Sequence, residues 1–277
     1  MAPSGGAMKR SLLVLLAAVS MYAVPSAGHA VVASMDTFAI DRNGSNYFTD
    51  NFNNGLTPSQ ESRYSVFGAF PNGAESGGML TLDSDWGAVT TNAANEVRRT
   101  LGALYLSPLN SSGLTVNDTI EVFGLFNLVL PAGPLFNGYG LQVRNSTNDL
   151  LAQLDVQYDA ALGVDVIRFL MQDFTNDTIT TLGQVMLAPP LGANQIALDI
   201  FKPDANSPNF FGAYAYCSNG ICNDDDFTSF GASVALFGST DYVRGRFFAA
   251  TAVPEPATIS LFGLGIVGLV AIRRRRR

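Results

Sequence analysis

The chain has 277 residues, a formal net charge of −7, two cysteines and one histidine. Residues 31–252 hold 22 acidic and 9 basic side chains, a net −13, and so exclude a nucleic-acid partner, which demands a basic footprint. The lone histidine, His29, falls in an N-terminal leader, and a body without histidine excludes a Ser-His-Asp triad, a Cys-His dyad and any histidine-ligated metal.

Met1 to Ala30 reads as a secretory signal helix. Lys9 and Arg10 form its charged region and Leu12 to Val19 its apolar region. Gly28-His29-Ala30 offers small residues for cleavage after Ala30. The body, residues 31–250, is long enough for one domain with a sizeable core. Sparse charge and abundant Gly, Asn, Ser, Thr, Phe and Val suit a β-rich exported domain.

Residues 31–50 read as an opening strand with Phe38 and Ile40 on one face. Next come a turn-rich Asp50-Asn51-Phe52-Asn53-Asn54-Gly55-Leu56, then Tyr64 to Phe67, then Glu75-Ser76-Gly77-Gly78-Met79-Leu80-Thr81-Leu82-Asp83-Ser84. This Asp-Asn-Phe-Asn opening with a Gly-Gly-x-Leu-x-Leu strand resembles the first strands of concanavalin A-like jelly-roll domains. The resemblance implies an all-β antiparallel sandwich whose first strand lies near its last. Beside that strand, Trp86 with Asp83 and Asp85 is a candidate carbohydrate contact. The ring would stack on a sugar and the carboxylates would take its hydroxyls; the alternative is a core or rim aromatic. Ala88 to Thr100 fits one helical turn, and Arg98 to Leu106 fits a strand.

From Thr119 the strands come close together, each bounded by turn residues. Thr119 to Leu130 is stopped by Pro131-Ala132-Gly133-Pro134. Gly138 to Val143, Leu151 to Tyr158, Val164 to Met171, Ile179 to Leu187 and Gln195 to Phe201 are the next strands, joined by short turns. Leu154, Val156 and Tyr158 share one face against Asp155 and Gln157 on the other; Ile196, Leu198 and Ile200 share another. Such spacing predicts antiparallel meanders and no parallel α/β sheet. Phe210 to Tyr216, Ser233 to Phe237 and Tyr242 to Ala250 complete the domain, with Gly245 between Arg244 and Arg246 a candidate bulge.

Cys217 and Cys222 flank Ser218-Asn219-Gly220-Ile221, and in an exported chain they are expected to form a disulfide across a small hairpin. Asp224, Asp225 and Asp226 come directly after. Adjacent carboxylates are what a calcium ion takes, or else a solvated acidic loop; no other cofactor is expected. Paired carboxylates are the one catalytic chemistry left open. Concanavalin-like glucanases carry theirs in a Glu-x-Asp-x-x-Glu pattern. None of Glu61, Glu75, Glu96 and Glu121 begins one, so the chain is expected not to be an enzyme.

Residues 251–277 form a three-part tail. Pro254-Glu255-Pro256 is held extended by its prolines. Ala257 to Ile272 is apolar and, as a helix, spans roughly 24 Å, a little short of a bilayer core of about 30 Å, and reads as a short transmembrane segment. Arg273, Arg274, Arg275, Arg276 and Arg277 belong on the cytoplasmic side. These three parts in this order, with Leu261-Phe262-Gly263-Leu264-Gly265-Ile266-Val267-Gly268 between the Pro-Glu-Pro and the arginines, resemble the PEP-CTERM sorting signal. The resemblance implies processing by exosortase, a membrane anchor before processing, and a place at the cell surface or in an extracellular matrix linked to exopolysaccharide and biofilm. The expected organisation is 1–30 signal peptide, 31–250 β-sandwich and 251–277 sorting signal.

Overall fold

A period of two residues governs the whole body. A computed structural model describes residues 32–55, 65–67, 74–83, 88–91, 97–105, 114–129, 138–145, 147, 149–159, 161–237 and 242–252, for several strand residues the backbone alone. The strands are β1 (Val32–Arg42), β2 (Ser45–Asp50), β3 (Ser65–Phe67), β4 (Ala74–Glu75), β5 (Leu80–Asp83), β6 (Ala88–Thr91), β7 (Val97–Tyr105), β8 (Leu114–Thr115) and β9 (Ile120–Asn127). After them come β10 (Gly138–Asn145), β11 (Leu150–Asp159), β12 (Val164–Asp173), β13 (Thr178–Met186), β14 (Gln195–Lys202), β15 (Asn209–Cys217), β16 (Thr228–Ala235) and β17 (Tyr242–Ala252). One 3-10 turn, Asp224–Asp226, is the only helical element among the described residues. The signal segment and residues 253–277 lie outside them, while Thr251 and Ala252 belong to β17.

The strands make two antiparallel sheets. Eight form the first, in the order β16-β15-β14-β9-β1-β5-β4 with β2 paired to β1. Nine form the second, in the order β13-β12-β11-β10-β17-β7-β3 with β6 on β7 and β8 on β17. β10 to β13 is the expected meander, its hairpins joined by short turns. The inward rows of both sheets meet in one core. Ile196, Leu198 and Ile200 from β14 and Leu141, Leu154, Val156 and Phe169 from the second sheet are all fully buried in it. Phe38 of β1 meets Phe247 of β17 edge-on at 5.1 Å, so the first strand does face the last across the core. Burial of this apolar area is the main force holding the sheets together.

Local chemistry explains where the strands differ from the expected ones. The opening strand is two strands, because Asn43 and Gly44 both adopt left-handed φ (55° and 69°) and make the tight hairpin turn that this residue pair favours. Within the Ala88 to Thr100 stretch, Ala88–Thr91 is strand and β7 starts at Val97; residues 92–96, between them, lie outside the described residues. β16 begins at Thr228 rather than Ser233, since the pairing with β15 continues through an irregularity near Gly231 (φ 72°). Gly245 is not a bulge: it pairs regularly with Val143, and the register shift lies between Phe247 and Ala249. A Cβ there would come within 2.9 Å of Ile40 and 3.0 Å of Val122 on the opposite sheet, so glycine is needed for close packing of the layers. Gly245→Val is therefore expected to cost about 1–3 kcal/mol through overpacking. Urea unfolding measures it, and a loss below about 0.5 kcal/mol would show that the layers have slack there.

The outward row of β11 holds a surprise. The alternation is as expected, yet Gln153, Asp155 and Gln157 are as buried as their apolar neighbours. They form a polar ladder with β10 and β12. Gln142 donates to Gln153, Gln153 to Asp155, and Arg168 to Gln157 at 2.6 Å, with the Arg168 guanidinium 3.4 Å from Asp155. Pairing of this kind offsets part of the cost of leaving water, while Gln142 Oε1, Asp155 Oδ1 and Arg168 Nε stay buried without a hydrogen bond.

Candidate functional site

The outward face of the eight-stranded sheet gathers carboxylates from three adjacent strands. Asp41 on β1 lies opposite Glu121 on β9, and Glu121 lies opposite Phe201 on β14. One row on, Phe123 lies opposite Asp199, Asp199 opposite Ala213, and Ala213 opposite Ser229. Asp199 is thus the diagonal neighbour of Glu121, a separation of about 7–8 Å between backbones. Asp41, Glu121, Asp199, Phe201, Ala213 and Ser229, with Phe227, line an open groove of about 450 Å³. Phe201 stacks on Phe211 at 5.7 Å, which sets an aromatic floor beside the acids.

Asp199 is the unusual member. Its Oδ1 is inaccessible and accepts no hydrogen bond. Burial first, and then the charges of Glu121 and Asp41, push its carboxyl well above the ordinary carboxylate range. A folded-state pKa raised in this way means that the folded chain holds a proton the unfolded chain has lost. Stability therefore falls as pH rises from about 4 through the raised value. Asp199→Asn is expected to remove that loss and to stabilise the chain at neutral pH by about 1 kcal/mol, or about 2–4 °C in Tm. Thermal unfolding at pH 4 and pH 8 checks it, and a variant less stable than wild type at pH 8 would contradict it.

The end of the groove is pinned by two opposite charges. Asp118 accepts from Arg42 Nε and Asn43 Nδ2, each at 2.8 Å, through Oδ1, and from Thr115 N at 2.8 Å through Oδ2. Burial alone would raise its pKa, but the bonds from Arg42, Thr115 and Asn43 together hold it down to about 2. Its contribution has the opposite sign to that of Asp199: present above about 4 and lost as pH falls through 2. Lys202, at the end of β14, faces the core and is fully buried. Its ammonium donates all three protons to backbone carbonyls, those of Val116 at 2.8 Å and of Asp118 and Asp204 at 2.6 Å.

At the other end of the same face, a hairpin folds back over the sheet. Cys217 and Cys222 are disulfide-bonded, and Asn219 and Gly220 adopt the left-handed φ values, 53° and 81°, of a two-residue turn between Ser218 and Ile221. The hairpin covers a small apolar patch of Leu125, Ala197 and Ala215, with Phe227 packed against it. Beyond it Asp36, Asn127, Gln195, Asn194 and Asn219 line a polar cleft of about 360 Å³. Asn127 donates to Ser34 Oγ at 2.9 Å and to Asp36 at 3.2 Å, while Gln195 bonds both Asp36 and the Gly220 amide. Burial pushes Asp36 up against the pull of the Asn127 and Gln195 bonds.

The residues expected from the sequence fall unevenly. The disulfide is formed. The Asp224–Asp226 run is a 3-10 turn with Asp225 and Asp226 exposed, and Asn223 donates to Asp226 at 2.9 Å. Among the described residues no three acidic, cysteine or histidine side chains are grouped to hold a metal. Asp83 contributes backbone to β5, while its side chain, Asp85 and Trp86 lie outside the described residues, as do Pro254 to Pro256 and Arg273 to Arg277. The groove of Asp41, Glu121, Asp199 and Phe201 is not legible in the sequence. Its one signal there is a carboxylate at the outward position of an otherwise apolar strand, Ile196 to Phe201.

Residues 252–276 match the family model of the PEP-CTERM protein-sorting motif. The chain carries that motif, which marks it as exported and directed to the surface. Comparison with curated proteins finds no match. Among solved structures the chain is similar to a GH43_12 retrieved from a capybara gut metagenome, at 10% identity and a TM-score of 0.41, over 74% of this chain and 35% of that one. It therefore spans about a third of that protein's length. It is also similar to the CBM2 module of the evolved Dit of Lactobacillus casei BL23 phage J-1, at 11% identity and a TM-score of 0.41, over 80% of this chain and 99% of that one.

Proposed function

We propose that the chain is a non-catalytic component of the bacterial surface or extracellular matrix that contacts polysaccharide through the acidic groove of its eight-stranded sheet. It leaves the cytoplasm on its signal segment, is anchored briefly through residues 257–272, and is processed by exosortase at Pro254-Glu255-Pro256. The observation that carries the binding reading is the pairing of an aromatic floor, Phe201 on Phe211, with three carboxylates in an open groove. Sugar rings offer apolar C–H faces to an aromatic and hydroxyls to carboxylates, so this combination suits a polyol better than an apolar or an anionic ligand. The only cation lining the groove among the described residues is Lys202, and its head is turned to backbone carbonyls.

The test is a glycan screen of the full chain held in detergent micelles, with and without calcium. Binding to neutral or amino-substituted glycans is expected, and little to uronic acid polymers. A clean negative in both conditions would sink the binding reading and leave a structural or adhesive surface protein without a sugar site.

A further inference from the structure

Four large apolar side chains project into solvent at one end of the sandwich. Leu162 is 58% exposed, Met186 66%, Ile221 69% and Leu191 fully. They come from separate segments, but the register collects them. Met186 pairs with Val166, Val166 with Gln157, Gln157 with Gly138, and Gly138 with Ala250 near the end of β17. Leu162 lies in the β11–β12 turn just beyond that line. Leu191 lies in the β13–β14 connection and Ile221 in the disulfide hairpin. The two are tied by Ser218 Oγ donating to the Gly192 carbonyl at 3.0 Å and by the Asn194–Asn219 bond at 2.9 Å. At this same end β17 finishes at Ala252, and the sorting motif with its apolar run begins. Single exposed hydrophobics are ordinary, but several gathered at one tip mark a contact surface.

We propose that this tip rests in the interfacial layer of the bilayer while the tail is anchored, with Leu162, Met186, Leu191 and Ile221 as the side chains that enter it. The inference rests on the reading of residues 257–272 as a membrane anchor. The tether keeps the tip at high local concentration beside the membrane, so weak partition of a few side chains suffices. At the tip the acidic residues Asp36, Asp159, Asp165, Asp225 and Asp226 outnumber Arg98 and Arg99, which the register sets opposite Ala252 and Thr251, so the surface it fits is zwitterionic rather than anionic lipid. The acidic groove lies toward the opposite end, where Arg42 pairs with Ile120 and Ile120 with Lys202, and it would face away from the bilayer.

Single tryptophans report the contact in the full chain reconstituted into phosphatidylcholine vesicles whose lipids are brominated near the headgroup end of the acyl chains. Leu191→Trp and Leu162→Trp are compared with Tyr47→Trp at the far end, after subtracting the wild-type signal of Trp86. At least threefold stronger quenching at 162 and 191 than at 47 is expected, weakened when phosphatidylglycerol is added. A chain that floats with the vesicles but is quenched equally at all three positions would overturn this inference alone. A chain that does not float with them would overturn the anchor and the inference together. Stronger quenching on adding phosphatidylglycerol would overturn the zwitterionic surface named here.

Discussion

Lys202→Ala is expected to cost the fold about 3–5 kcal/mol. Two effects add. The four-carbon stem leaves a cavity in a fully buried site, and the Val116, Asp118 and Asp204 carbonyls lose their shared donor. Burial lowers the lysine pKa against the pull of the Asp204 and Asp118 charges, and the ammonium spends its three protons on the carbonyls. Lys202→Met separates the two effects: it refills the stem and leaves the carbonyls unpaired, and should recover about half of the loss. Urea unfolding of both variants decides it. A loss under about 1 kcal/mol for Lys202→Ala would mean that water replaces the ammonium at little cost.

The second large effect concerns the tail. Replacing Pro254, Glu255 and Pro256 together by alanine should abolish processing, so that the precursor accumulates with its tail intact. Proline disfavours helix and lacks a backbone donor, so this triplet is expected to suit the extended backbone that a protease requires, and Glu255 is the one charge between the prolines. Alanines would instead allow the helix that begins in the apolar run to extend outward through the cleavage region. The mass of the chain recovered from membranes and from medium measures this. Unchanged release of a shortened body would refute the sorting reading.

Particular residues show what can be read from the chain alone. Ile196, Leu198 and Ile200 announce a strand with one buried face, because alternation is a local property. Cys217 and Cys222 announce their bond, because Asn219-Gly220 supplies the turn that brings the sulfurs together. Asn43-Gly44 carries the same turn signal, yet it hides inside a stretch that reads as one long strand. The tail is legible because its three parts are contiguous.

Other features depend on contacts far apart in the chain. Asp199 becomes unusual when the sheet buries it and β9 and β1 bring Glu121 and Asp41 alongside, and no local pattern says which strands will be neighbours. Lys202 ends an alternating strand, where a lysine normally reaches water. It is buried because carbonyls from β8–β9 and from the residue two beyond it converge on its head. Gln153, Asp155 and Gln157 look like the wet face of β11, and the polar ladder with Gln142 and Arg168 is what lets them be dry. In each case the residue type is visible in the sequence and its partner is not.

Polysaccharide meeting the chain in the Asp41–Glu121–Asp199–Phe201 groove is the central claim. The affinity of a glycan found in the screen for Phe201→Ala tests it most directly. At least tenfold weaker binding is expected, about 1.4 kcal/mol, with Tm within a few degrees of wild type. Unchanged affinity in a folded Phe201→Ala chain would contradict it and place the contact elsewhere on the molecule.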